Sequence, residues 1–421
     1  MFRRLLTVMT AAALASGAPA LAAVHPAAAA TPAGCDGAAF VWTGAGNGTW
    51  HDPADWTLDG IVPARTPGTG DDVSIPASAK VTIDTATTAC SVTLGTGATI
   101  DLGGQILTIS TGIRASFAAA PKSVFADGAK LISSQPHGVL LVTSFGVLEL
   151  DGTLTISKPA NLLLSSAAPA TPGAITDTRE WSAAGHSAVL AGSGTFNWQD
   201  GSVQGHVTLK DPLVVSVSRK SWKYLSTDAG VGKAHPTLLL NKSTRFTLSA
   251  GSIESQDRYS GFENAGAVLQ TAGTFYATSS ANPAVVNDRG ATWTYKETAA
   301  APLAARAFTN KGKLVIGVGS VFYPTTFTQS STGSVQLTLA GLSSTRFSRL
   351  GADKGKLAGT LKLVSANSYK PRVPTTVVNV AYFNKSLSGK FTKVASTTHQ
   401  SRRTWVSSYS GRFLSAVLKA G

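Results

Sequence analysis

The chain has 421 residues, 36 Lys and Arg against 22 Asp and Glu, a formal net charge of +14, and only two cysteines. Beyond residue 30 no apolar run approaches the roughly 18 residues needed to span a bilayer, which excludes a membrane-spanning helix there. The seven histidines, 25, 51, 137, 186, 206, 235 and 399, stand singly without zinc-ligand spacing, and neither a Gly-x-Ser-x-Gly elbow nor a P-loop occurs. Metal-dependent and nucleotide-dependent chemistry are therefore not expected, and no cofactor is assigned.

Residues 1–30 are the first predicted segment. Arg3 and Arg4 precede an Ala/Leu-rich stretch, and Ala20-Leu21-Ala22 and Ala28-Ala29-Ala30 offer small-residue cleavage points. That is the layout of a secretory signal peptide, so a secreted, extracellular or cell-surface-associated protein is expected. In an exported chain Cys35 and Cys90 read as a disulfide, which would stabilise the fold by about 4 kcal/mol on the chain-entropy account. A second reading stays open, because Ala33-Gly34-Cys35 has the form of the end of a bacterial lipoprotein box, in which the cysteine is acylated. Against it, Pro32 stands where that motif wants an aliphatic residue.

Residues 31–75 are expected to close the amino-terminal end of a core. Trp42, Trp50 and Trp56 could line a sugar site or plug the open end of the core. Asp71 and Asp72 form an acidic pair, but neighbours on a strand point to opposite faces, which favours a turn role over paired catalysis.

Residues 76–344 carry a repeat. Units led by Gly104, Gly128 and Gly152 start 24 residues apart, and Phe262-Glu-Asn264, Val285-Val-Asn287 and Phe308-Thr-Asn310 recur at 23. Such periods mark stacked supersecondary units, each too short to bury its own core. Short alternating runs such as Val81-Thr-Ile83, Leu107-Thr-Ile109, Leu238-Leu-Leu240 and Val335-Gln-Leu337 are bounded by turn residues, as strands should be. About eleven parallel coils between residues 75 and 340 are predicted, about 4.8 Å apart, with asparagines able to stack in ladders.

The opening run Trp42-Thr-Gly-Ala-Gly, Trp50-His-Asp-Pro-Ala-Asp-Trp56 and Gly70-Asp-Asp-Val-Ser-Ile75, followed by Ser91-Val-Thr-Leu94 through Gly104, resembles that of secreted bacterial right-handed β-helix proteins of the pectin-lyase-like and autotransporter-passenger, adhesin-type kind. Gly194-Thr-Phe-Asn-Trp198, Gly273-Thr-Phe275 and Phe308-Thr-Asn310 resemble their further coils, and Leu357-Ala-Gly-Thr-Leu361 through Gly389-Lys-Phe391 their closing segment. The resemblance implies an all-β, right-handed parallel β-helix (β-solenoid) with an amino-terminal aromatic cap and a small antiparallel carboxyl-terminal β cap. Its motifs carry fold and location, and function only weakly.

Residues 345–421 are the last segment. They hold 14 Lys and Arg against the single acid Asp353, so they carry +13 of the net charge. Such asymmetry suggests an anionic partner, a cell-wall or extracellular polysaccharide or another polyanion, with Lys385, Lys390, Lys393, Arg402 and Arg403 as contacts and Trp405 and Tyr409 nearby. No recognised nucleic-acid module is present. The alternative is a solvated basic cap that keeps this end soluble.

Two stretches break the coil rhythm, 166–187 and 219–236, and loops on a rigid scaffold are where function is usually placed. Asp177, Glu180 and His186 form the densest titratable set and are the catalytic candidates; Trp181, Trp198 and Trp222 are the ligand-stacking candidates. Asp200, Glu254, Asp257 and Glu263 could face one groove if the coils stack in phase, but glycoside hydrolysis needs two carboxyls at a defined separation. The resulting expectation is a non-enzymatic, adhesin-like or structural protein binding a polyanionic or glycan surface. The alternative is a polysaccharide-degrading or carbohydrate-binding β-helix protein.

Overall fold

The computed structural model describes residues 35, 37–44, 48–110, 122–143, 147–167, 171–172, 174–177, 188–210, 212–226, 238–255, 261–277, 284–297, 307–366 and 368–420. The fold lies in the unit Pro32–Gly421 and is all-β. Three large sheets, here A, B and C, hold nearly all the strands.

From Lys80–Thr82 to Thr274–Ala277 successive strands visit B, C and A in rotation, apart from a short hairpin pairing Ser166–Ala167 with Thr171–Pro172. Each strand pairs in parallel with the one a full turn later. In sheet B, for example, Val81 lies beside Ile100, Ile100 beside Leu131, and Leu131 beside Ile156. Among the described residues eleven sheet-B strands pair one on the next in this way between Lys80 and Gln329, in line with the repeat, and Val321–Phe322 joins the same sheet through a later strand. Large parallel sheets stacked this way are consistent with a β-solenoid.

The two-residue alternation of the sequence becomes inside and outside. In Ile106–Ile109, Leu107 and Ile109 are buried and Ile106 is exposed; in Asn161–Leu164, Leu162 and Leu164 are buried. Each fully buried Leu or Ile adds about 1.5–3 kcal/mol of transfer free energy. The buried residues of all coils form one continuous hydrophobic core.

The Gly104 unit does not stack on the other two glycine-led units. Gly128 and Gly152 both precede sheet-B strands that pair with each other, whereas Gly104 precedes Ile106–Ile109 in sheet C. A glycine followed by alternating apolar residues starts a strand on any face, so equal spacing alone does not identify the face. The 23-residue repeat behaves differently: Asn264, Asn287 and Asn310 stand in one register, followed by Gln329.

Sheet A ends at Thr274–Ala277 among the described residues, while B and C continue. There the core is aromatic: Phe246, Phe262, Phe275, Trp293, Phe308 and Phe322 contact one another at centroid distances of 4.8–5.7 Å. Further on, the long strand Arg349–Leu357 serves two shorter ones. Its front half pairs with Val321–Phe322 and its back half with Thr326–Gln329, with an irregularity at Ala352/Lys354 on its other side. Parallel pairing does not stop at residue 344 but runs on to Lys393–Thr397 in sheet C. The antiparallel part is Phe413–Ala420, lying between Thr375–Gly389 and Arg403–Ser410. Charge composition marks a surface, and it changes well before the strand pairing does.

Candidate functional site

At the amino-terminal end Cys35 and Cys90 are joined in a disulfide. Trp42, Trp50 and Trp56 are all buried and pack edge to face, with centroids 4.9 and 5.1 Å apart. The indoles of Trp50 and Trp56 donate to the carbonyls of Pro67 and Trp50, so these rings are core and offer no face to a sugar. Asp71 is structural as well. It accepts from the N–H groups of Ala38 (3.0 Å) and Gly68 (2.8 Å) and pairs with Arg65, whose guanidinium also lies over the Phe40 ring. Burial works against the Asp71 carboxylate, but Arg65 and the two N–H groups outweigh it and hold its pKa below the usual range.

Among the central candidates, Asp177 ends the sheet-A strand Ala174–Asp177, and Trp222 opens another, Trp222–Ser226, opposite Ser252. Glu180, Trp181, His186 and Asp257 lie outside the described residues. Trp198 is not a ligand-stacking residue: it is fully buried, stacked on Phe196, and its indole donates to the Gly201 carbonyl at 3.3 Å. Phe196 and Trp198 share one parity of the strand Thr195–Trp198, and that parity points inward.

Of the acids considered for one groove, two that the structure places lie on different faces. Glu254 is on sheet A and Glu263 on sheet B. On sheet A the structure brings together Ser202, Tyr224, Glu254 and Tyr276, one above another in register. Burial, then Glu254, then Asp200 push the Tyr224 phenol up. On sheet B, Glu263 is half-buried near Asp288, which pairs with Lys311 at 3.2 Å; burial first and Asp288 second raise the Glu263 carboxyl, and Lys311 opposes them. Among the described residues no cluster of three or more His, Cys, Asp or Glu side chains could hold a metal ion.

Lys223 was missed by sequence reading. It is fully buried beneath sheet A, and its ammonium donates to the carbonyls of Arg219 (2.7 Å) and Ser221 (3.1 Å). Burial brings its pKa down to about 8, Asp200 opposing and Arg219 reinforcing. Its parity with Leu225 in Trp-Lys-Tyr-Leu-Ser was the available signal.

At the basic end the five polyanion candidates are not equivalent. Lys385 pairs with Asp353 at 2.8 Å, Arg403 donates to the Pro371 carbonyl at 2.6 Å, and Lys390 lies over the Tyr409 ring at 5.4 Å. Lys393 and Arg402 are exposed, as are Lys354 and Lys356, two apart on one strand and therefore on the same outward face. Trp405 is buried and donates to Ser365 Oγ.

Comparison with protein-family models, with curated proteins and with solved structures finds no match for this chain.

Proposed function

We propose that this chain is an exported, right-handed parallel β-helix protein that holds an acidic polymer of a cell surface or extracellular matrix at its basic carboxyl-terminal end, acting as an adhesin-like or structural protein. The observation that carries this is the charge: +13 after residue 344, with the single acid of that segment already paired to Lys385. The disulfide supports export, because such bonds persist in oxidising compartments, and so does the signal-like sequence of residues 1–30. The buried tryptophan cluster near the amino-terminal end and the antiparallel strands near the carboxyl-terminal end support the reading of a solenoid with covered ends.

The test is retention on an acidic polysaccharide column across a salt gradient. Exposed charges are screened within about 8 Å at physiological ionic strength, so binding carried by charge falls steeply as salt rises. Neutralising Lys354, Lys356, Lys390, Lys393 and Arg402 together is expected to release the protein at low salt with unchanged circular dichroism. Elution at the parent's salt concentration overturns the reading and leaves the charge as a solubility device.

The register that sets Glu254 beside Tyr224, with the Asp200 charge also acting on that phenol, favours a second reading, a polysaccharide-cleaving or glycan-binding face on sheet A. Asp200→Asn and Glu254→Gln variants compared for release of reducing ends discriminate it. Equal, background-level release from parent and variants removes the cleaving form of that reading.

A further inference from the structure

Outward from the carboxyl-terminal strands runs a strip of aromatic side chains that the core does not need. Gly351, Tyr382 and Phe413 are register partners on three neighbouring strands, and Tyr323 lies over Gly351 beside Tyr382, its ring centroid 5.8 Å away and tilted by 39°. Their strand neighbours Leu350, Ala381 and Leu414 are buried, so this row is the opposite, outward parity. Gly351 is the floor. A Cβ there would run into the Tyr323 ring and come within 2.7 Å of Tyr382 Cζ, so only glycine lets both rings settle onto the backbone. Phe413, next to the hairpin turn Gly411-Arg412, is 43% exposed.

A fixed polar rim borders the strip. Tyr323 Oη donates to Asp353 Oδ1 at 2.8 Å and accepts from Asn384 Nδ2, and Lys385 Nζ reaches Asp353 Oδ2 at 2.8 Å. The Arg412 guanidinium is held on the carbonyls of Asn384 and Lys385, and Arg349 stands close enough to Tyr382 to bear on its phenol. Arg349 Nε is buried without a hydrogen-bond partner. The border therefore holds three cations, Arg349, Lys385 and Arg412, and one acid, Asp353.

We propose that the strip Tyr323–Tyr382–Phe413 binds an acidic glycan, a chain of uronic acid sugars. This deepens the polyanion reading above and rests on it. A pyranose ring has an apolar C–H face and a hydroxyl rim. The aromatic row offers its faces to the former, while Asp353 and Asn384 accept from and donate to the latter. The cations take the sugar carboxylates, for which guanidinium groups have a matching fork of donors. A row running across strands, with rungs about 4.8 Å apart, suits a linear chain lying along the stack. A single-stranded nucleic acid would also stack on such rings, but it sets a phosphate between successive bases, whereas every sugar of a glycan carries hydroxyls that can donate to the Asp353 carboxylate.

The test uses the full chain and isothermal titration with a glucuronate hexamer, a cellohexaose control of the same backbone without carboxylates, and an oligothymidylate. Measurements are made at low salt and at 1 M NaCl, where the screening length is about 3 Å. The parent is expected to prefer the glucuronate hexamer to both controls, and to keep part of that affinity at 1 M. Tyr382→Ala and Phe413→Ser are each expected to lower it by about tenfold, while leaving the salt-gradient elution from a polyphosphate column unchanged. Phe413 lies outside the core, so its variant keeps the test valid should Tyr382→Ala disturb the fold. Parent-like affinity for the hexamer in the Phe413→Ser protein overturns the proposal. So does equal or tighter binding of cellohexaose or oligothymidylate by the parent. Failure of the charge reading shows separately, as parent-like elution of the five-cation variant.

Discussion

Two stretches of the same stack obey different rules of spacing. Between Asn264 and Asn310 each sheet-B position is 23 residues from its partner, twice in succession. Between Val81 and Ala191 the offset ranges from 19, Val81 to Ile100, to 36, Thr155 to Ala191. Both stretches bury alternating apolar side chains, which tolerate any length of turn between strands. The regular stretch adds buried amides. Asn264 Nδ2 donates to Asn287 Oδ1 at 2.8 Å, Asn287 Nδ2 to Asn310 Oδ1 at 2.7 Å, and Asn310 Nδ2 to Gln329 Oε1 at 2.8 Å. Each asparagine also donates to a carbonyl of the adjoining sheet-C strand or the turn before it, Thr292, Lys313 and Ser334 in turn. Hydrophobic burial is indifferent to register within a face, whereas a buried amide must meet its partner within a few tenths of an ångström.

The largest effect is expected from breaking the ladder in the middle. Asn287→Leu leaves Asn264 Nδ2 and Asn310 Oδ1, both on fully buried side chains, and the Lys313 carbonyl without the partner they have now. At about 1 kcal/mol or more for each orphaned group, stability should fall by about 3 kcal/mol in urea denaturation. A loss under about 1 kcal/mol would mean that water or local repacking replaces the amide.

A paired insertion sharpens the contrast at intermediate size. Three glycine and serine residues inserted after Pro136, in the exposed turn between Ala129–Ile132 and Val139–Val142, are expected to cost less than about 1 kcal/mol, since loop closure grows slowly with length. The same insertion after Ala265 separates Asn264 from the Gly266 N–H that its Oδ1 accepts at 2.9 Å, and should cost clearly more. Equal melting temperatures for the two proteins would remove the distinction between the stretches.

The smallest effect concerns the outer surface of the regular stretch. Burial and then Asp288 raise the folded-state pKa of Glu263, so the folded chain holds that proton more tightly than the unfolded chain. The stability from this group is fully present below the unfolded carboxyl pKa and is lost as pH rises through the folded one. Glu263→Gln, neutral throughout, should melt slightly higher than the parent at pH 7 and lose that advantage in acid. A lower melting temperature at pH 7 would show that the charged form is the stabilised one.

The sequence was legible where a residue type could serve only one position. Phe-x-Asn, Val-x-Asn and Phe-x-Asn mark the same inward corner because an asparagine is retained inside only when another stacks on it. Glycine-led starts were ambiguous, since every face begins strands the same way; hence Gly104 aligned with Gly128 by spacing and lies on another sheet. Trp198 and Lys223 were readable by parity alone, with Phe196 and Leu225 as their inward neighbours, but the ring of Trp198 suggested a ligand-stacking role and a lysine is a residue type seldom fully buried. The strip at the carboxyl end was hidden for another reason. Tyr323, Gly351, Tyr382 and Phe413 meet only through strand register, and the irregularity at Ala352/Lys354 and a hairpin set that register.

The amide ladder is also polar along its length. Every side chain hands its donor toward the next asparagine or glutamine in chain order, and the series stops at Gln329, whose Nε2 has no partner. A coil with such a corner is interchangeable with its neighbour. In-frame removal of residues 288–310 would present Asn287 directly to Gln329, and duplication of the same segment would insert one more amide in the same orientation. Gene-level gain or loss of 23-residue units is thus permitted in this stretch and penalised elsewhere, so the length of the protein can drift by whole coils where the asparagines are.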